Sequence, residues 1–414
     1  NGVVQPVDFR TALLTLDGRG GRDTLILKGT ASQEIVQAWL DRISIKGNGF
    51  TVSAANMEVI EFTGNGGSDE ITVGDSDGDD TFEAWAPGAS VVKAELTGGG
   101  RKLTVKDFGS VIAGSSGQAL DKAIFHDSTG SDAFNAWPTV ATMTGTGYSF
   151  RANAFGSVEA TSSGQAGDSA KLFDSSGDDL FTATPAYGVL SGTLSNNRVF
   201  ANKATGFKAV QAYATAGGAN DRAVLEGSSA GNETFSAYPT YGVMTGASYY
   251  NRANGFDSVE GKSNGGADKA QLYDSPNKDV LTASPTSVQF TGTTTPFKNT
   301  ATGFAQVYAL STAGGADEAT LNGSAAKDEF VGLTSYSLMT GTGYFNRVDQ
   351  FETVKAVSGG GADMARMFDS TGVDTLVAYP TYATLTMAAG DVLRADNFRY
   401  MYAPSSAGVA DLPF

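Results

Sequence analysis

The sequence predicts an all-β repeat protein, a β-solenoid resembling a parallel β-helix, of about eight units of about 48 residues each. Three observations carry this: a Gly/Asp/apolar phrase that returns along the chain, apolar residues at every second position within each segment, and the near absence of a helical period. An eight-bladed β-propeller is the alternative, since blades are of similar length.

The phrase is clearest in Gly265-Gly-Ala-Asp-Lys-Ala-Gln-Leu-Tyr-Asp-Ser275 and Gly360-Gly-Ala-Asp-Met-Ala-Arg-Met-Phe-Asp-Ser370. Its aspartate falls at Asp23, Asp69, Asp121, Asp168, Asp221, Asp268, Asp317, Asp363 and Asp411, at spacings of 46 to 53 residues. An Asp-Ser turn follows, then a segment such as Asp132-Ala-Phe-Asn-Ala-Trp-Pro138 or Glu233-Thr-Phe-Ser-Ala-Tyr-Pro239. Next come a Met-Thr-Gly stretch (Met143 to Gly145, Met244 to Gly246, Met339 to Gly341) and an aromatic-Arg stretch ending at Phe155, Phe256 or Phe351. A short closing segment, Val158-Glu-Ala160 or Val259-Glu-Gly261, leads into the next Gly-rich turn. Four or five short strands per unit result. Alternate units resemble each other more than neighbours do, which sets a superperiod near 100 residues.

In Phe134-Asn-Ala136, Ala170-Lys-Leu172 and Ala270-Gln-Leu272 the small and apolar side chains fall on one face of a strand. The best helical candidate, Ser32 to Ile43, contains Glu34-Ile-Val-Gln-Ala-Trp39 and Arg42-Ile-Ser-Ile45, which read as strands in this setting. Strands this short bury a face only by stacking on neighbouring copies. Unequal unit lengths fit a solenoid, which absorbs extra residues in loops, better than a ring of equal blades. The chain then divides into an N-terminal strand segment (1–22) able to contact another subunit, one solenoid of repeats (23–410), and the start of a ninth repeat (411–414). The repeated Phe134, Phe181, Phe235 and Phe330, with Phe155, Phe256, Phe304 and Phe351, are expected to form core ladders rather than a sugar-stacking platform. Arg151, Arg252, Arg347 and Arg394 would either meet the acidic turns or bond turn carbonyls inside.

Composition excludes several functions. With 28 Lys plus Arg against 44 Asp plus Glu, the net charge of −16 gives no footing for nucleic acid or anionic lipid. The absence of cysteine removes disulfides, thiolate chemistry and cysteine metal sites, and the lone His126 removes any two-histidine centre. No apolar run reaches the length of a membrane span. The first residue is Asn1 rather than Met, so a leader removed on secretion is expected. The acids are themselves the repeat, whereas a catalytic constellation should interrupt it with unique residues, so no catalysis is expected.

The stretches Leu14-Thr-Leu-Asp-Gly-Arg-Gly-Gly-Arg-Asp-Thr-Leu-Ile-Leu27 and Met57-Glu-Val-Ile-Glu-Phe-Thr-Gly-Asn-Gly-Gly-Ser-Asp-Glu-Ile-Thr-Val73 resemble bacterial secreted RTX-like (haemolysin-type) Gly/Asp-rich repeat proteins. The resemblance extends over nearly the whole chain at the level of the phrase. It implies a secreted β-roll or β-helix on or around a bacterial cell, in adhesins and surface layers, with calcium as a common ligand.

The Asp-Ser turns are the candidate metal sites, because carboxylates, a hydroxyl and exposed carbonyls are the hard oxygen donors that calcium takes. Asp75, Asp77 and Asp79 form the densest group, followed by Asp127 with Asp132 and Asp174 with Asp179. The competing reading is that these side chains bond their own backbone in turns. Lys278 within one turn, and Gly227 and Gly323 in place of the first aspartate in two others, argue against a metal in every unit. Asn232 and Asn322 match the N-glycosylation triplet. The function expected is the structural subunit of an extracellular fibre or surface layer, assembling head to tail with identical subunits through open solenoid ends. A calcium-stiffened adhesin or glycan-binding surface module is the alternative.

Overall fold

The computed structural model describes residues 13–40, 44–47, 50–66, 68–86, 92–117, 120–164, 167–294 and 296–404. The expectations for residues 1–12 and 411–414 lie outside these. Two compact units are present: Asn1–Asp179 with Ala186–Gly218, and Leu180–Pro185 with Ala219–Phe414. Among the described residues all regular structure is β-strand, and each unit is a β-solenoid of stacked coils rather than a set of propeller blades.

Each unit has two sheets, A and B, that share a core. In the second unit, Gln306–Leu310 lies in sheet A and Glu318–Asn322 in sheet B. The chain then returns to sheet A for a three-stranded antiparallel meander, Glu329–Gly332, Tyr336–Gly341 and Tyr344–Asp349. The meander is laid in reverse along the stack. Its last strand pairs in parallel with the preceding Gln306–Leu310, and its first strand pairs in parallel with the following Met364–Met367. The same reversal joins Tyr148–Asn153 to Ser110–Gly114 and Ala133–Ala136 to Ser169–Phe173 in the first unit.

This topology explains the superperiod. One sequence repeat makes three passes, two single strands and one meander, and three is odd. A repeat that begins in sheet A is therefore followed by one that begins in sheet B: Thr353–Val357 in B, Met364–Met367 in A, then the meander Thr375–Ala378, Tyr382–Thr386 and Val392–Asp396 in B. Two repeats restore the starting sheet, so positions facing the same surroundings recur after about 100 residues.

Alternation does the sorting expected of strands. Phe134 and Ala136 point into the core while Ala133 and Asn135 face out. The core aromatics touch across the sheets, Phe125 of sheet B lying 6.3 Å from Phe134 and 6.0 Å from Phe150 of sheet A. All eight phenylalanines expected in core ladders are buried. Burying each contributes about 1.5–3 kcal/mol. Buried asparagines add polar staples that the periodicity did not reveal. Asn202 donates to the Trp137 carbonyl at 3.0 Å, Asn251 to Thr184 at 2.8 Å, Asn299 to Tyr238 at 3.0 Å and Asn346 to Ser284 at 2.9 Å. Each satisfies a carbonyl at the end of a meander strand roughly two coils of chain away.

The recurring arginines meet neither the acidic turns nor the interior. The Arg252, Arg347 and Arg394 guanidinium groups stack 4.0 to 4.2 Å from the ring centroids of Tyr241, Tyr336 and Tyr382. Each is held by the side chain two residues on, Asn254, Asp349 or Asp396, which a strand places on the same face. His126 stacks on Trp85 and contacts Glu83 at 2.8 Å, a surface pairing.

Candidate metal centre

Where the chain enters a strand, carboxylates turn inward and cap backbone. In the turn Asp127 to Asp132, the Ser128 N–H donates to Asp132 Oδ2 at 2.9 Å, and its hydroxyl reaches both carboxylate oxygens. Ser128 also accepts from the Gly130 N–H, closing the loop on itself. The Asp132 N–H then donates to Asp168 Oδ1 of the next coil at 2.9 Å, and Asp168 Oδ2 accepts from Ser162 at 2.7 Å. Ser76 with Asp80 and Asp121, and Ser275 with Asp279 and Asp317, repeat the arrangement. Turn aspartate and phrase aspartate thus meet across coils, although about 40 residues separate them in sequence.

Among the described residues three groups of three carboxylates result, each offering oxygens within 4.8 Å of one another: Asp75, Asp80 and Asp121; Asp127, Asp132 and Asp168; Asp274, Asp279 and Asp317. The first member of each also caps backbone, Asp75 accepting from Ser116 N–H at 2.6 Å, Asp127 from Ser163 at 2.6 Å and Asp274 from Ala313 at 2.8 Å. Burial, reinforced by neighbouring carboxylates, holds Asp75, Asp80, Asp127, Asp279 and Asp317 above the ordinary aspartate range. Tyr148, donating to Asp132 at 2.6 Å, is pushed far up by burial and by that charge.

Of the residues singled out in the sequence, Asp75, Asp127 and Asp132 sit in these groups. Asp77 and Asp79 do not: both are exposed, and Asp79 accepts from the Leu120 N–H at 2.9 Å. Asp174 and Asp179 are buried and cap Ala216 and Ser175. Asp80, Asp274 and Asp279 belong to Asp-Ser turns legible in the sequence but were not among the selected ligands, and Asp121, Asp168 and Asp317 were missed as group members. The readable signal was the Ser-x-x-x-Asp spacing of Ser76 to Asp80, Ser128 to Asp132 and Ser275 to Asp279. Asn232 is exposed and accepts from Ala267 N–H, while the Asn322 amide is taken by the Ala283 carbonyl.

A hard cation suits the donors: three carboxylates per group, with lone pairs left on oxygens such as Asp121 Oδ1 and Asp317 Oδ1, which accept one hydrogen bond each among the described residues. The same bonds also let each group serve as a purely structural cap. Elsewhere the pattern is incomplete. Gly64 stands where Ser162 stands in its repeat, and among the described residues Asp69 Oδ2 and Glu34 Oε2 are buried without a hydrogen-bond partner. The chain is a β-solenoid with buried aspartate groups, and it matches no protein-family model and no curated protein sequence.

Proposed function

We propose that this chain is the structural subunit of an extracellular fibre or surface layer, secreted and joined head to tail with identical subunits. The observation that carries the reading is a pair of strand edges. Thr375–Ala378, the first strand of its meander, pairs only with Tyr382–Thr386 among the described residues, whereas its counterparts also carry a parallel neighbour. Its core-facing Leu376 is half-exposed where Phe82, Phe181 and Leu281 are fully buried. At the other extreme Thr24–Lys28 pairs only with Val59–Thr63 among the described residues. Open edges of this kind recruit further strands, and contacts between unlike ends propagate instead of closing. The acids support a structural over a catalytic role, because they recur in one pattern and are engaged with backbone. Imaging and sedimentation of the 414-residue chain over a range of concentrations test the reading. Unbranched polymers are expected; a monomer at every concentration refutes it.

The three carboxylate groups favour a second reading, a module stiffened by calcium and serving as an adhesin or glycan-binding spacer. Asp75, Asp80 and Asp121, with their two counterparts, would hold the ion and exchange mutual repulsion for coordination. A melting temperature that rises with added calcium and falls in chelator is the expected result, and a melt indifferent to both removes this reading.

A further inference from the structure

We propose that the hole left at Gly227 binds a divalent cation of calcium's size between Glu233 and Asp268, in a repeat that the three carboxylate groups do not include. The site is independent of the fibre reading, and it stands or falls separately from those groups.

Gly227 holds the place of Asp127, Asp174 and Asp274, the first aspartate of the turn. Its repeat departs from the others at a second point. The turn is one residue longer, and the acid that enters the strand is Glu233, one methylene longer than Asp132 or Asp279. A carboxylate is thus lost from one side of the seam while the other side gains reach. Gly227 is buried, and a β-carbon on it would lie 3.4 Å from Asp268 Oδ2, 3.4 Å from the Lys262 carbonyl oxygen and 3.5 Å from Glu233 Oε2. Three oxygens therefore look onto one point where the chain has no side chain.

These oxygens have capacity to spare. Glu233 is 3% exposed; its Oε1 accepts from the Ser228 hydroxyl at 2.7 Å, whereas Oε2 is buried without a hydrogen-bond partner among the described residues. Asp268 Oδ1 accepts from the Glu233 N–H at 2.7 Å and Oδ2 from the Ser263 hydroxyl at 2.7 Å, which leaves lone pairs on both. No Lys or Arg pairs with either carboxylate among the described residues, and two buried carboxylates without a countercharge are costly.

Tyr249 gives a second, separate sign. Its counterpart Tyr148 donates to Asp132 at 2.6 Å. Tyr249 is 7% exposed and its hydroxyl has no partner among the described residues, although burial and then the Glu233 and Asp268 charges push it up. A β-carbon on Gly145 would strike Asp132, whereas on the corresponding Gly246 its nearest neighbours would be atoms of the Tyr249 ring. The Glu233 carboxylate thus faces Gly227 instead of the tyrosine.

Water would satisfy the lone oxygens but leave both charges in place. A divalent cation takes oxygen donors and cancels two carboxylates. Magnesium holds to a small octahedral shell rich in water, so a seam of protein oxygens suits calcium better. The exposed Ser229 and Ala230 beside the hole leave a way in.

Gly227→Ala tests the site without disturbing the fold, because its methyl group meets the three oxygens at ordinary contact distance and occupies the point. Equilibrium dialysis of the full chain against calcium is expected to show about one ion fewer per chain for Gly227→Ala, and for Glu233→Gln, than for the unmodified protein. Gly227→Ala should melt in chelator no lower than its parent. Asp279→Asn is the independent arm. If Gly227→Ala binds as many ions as its parent while Asp279→Asn binds fewer, this site is overturned and the calcium reading of the three groups stands. If Gly227→Ala alone binds fewer, this site stands without them. Displacement by an equal concentration of magnesium overturns the calcium-sized assignment, and a chain that binds no calcium overturns both.

Discussion

A β-carbon added to Gly145 would stand 1.9 Å from Oδ1 of Asp132. The glycine of the Met-Thr-Gly phrase is thus there for space, since the aspartate that caps the strand entry lies over its α-carbon. Gly98 over Asp80, Gly192 over Asp179 and Gly341 over Asp328 repeat the contact, at 1.3, 1.6 and 1.9 Å. Gly145→Ala is expected to cost about 1–3 kcal/mol, the usual penalty of overpacking, read as a lower urea midpoint with an unchanged slope. An unchanged midpoint would mean that the carboxylate moves aside freely.

Restoring the consensus should not help at the incomplete site. Gly64→Ser would supply the hydroxyl that Asp69 lacks, yet its β-carbon would lie 2.5 Å from the Asp107 carbonyl and 2.4 Å from Asp69 Oδ2. Backbone cannot yield as a side chain can, so a lower melting temperature is expected. A higher one would show that the seam relaxes to accept the bond.

The buried carboxylates set a pH dependence. Burial raises Asp69, Asp75, Asp80, Asp127, Asp179, Asp279, Asp317 and Glu233 above their ordinary values. In the window between the ordinary carboxylate value and the raised folded one, the folded chain binds more protons than the unfolded chain. Stability is therefore greatest at the acid side of that window and falls as pH rises through it. Melts in chelator should show a higher melting temperature near about pH 5 than at about pH 7. The opposite slope would place the controlling groups among the ion-paired acids such as Glu159, which its bond to Lys203 holds below the ordinary glutamate range.

Asn299→Ala removes the donor to the part-buried Tyr238 carbonyl, at a cost of about 1–3 kcal/mol. Phe235→Ala, which opens a cavity beside Phe304, should cost more, about 3–5 kcal/mol. Equilibrium unfolding of the two variants checks the order. If the asparagine change costs nothing, water reaches the carbonyl.

By itself the sequence determined the strand content, the repeat, the buried phenylalanine ladders and the superperiod, because side-chain alternation and turn chemistry are local and a repeated fold writes them repeatedly. That Phe134 lies inside is legible from Phe134-Asn-Ala136 alone. Tertiary structure alone decided which carboxylates meet. Asp77 is Asp75's neighbour in the chain but faces solvent, and Asp121 reaches the same group from the next coil. The reversed meander, too, left no local signature: a strand's neighbours are chosen by the backbone hydrogen bonds of the stacked sheet, and those bonds are blind to side-chain identity.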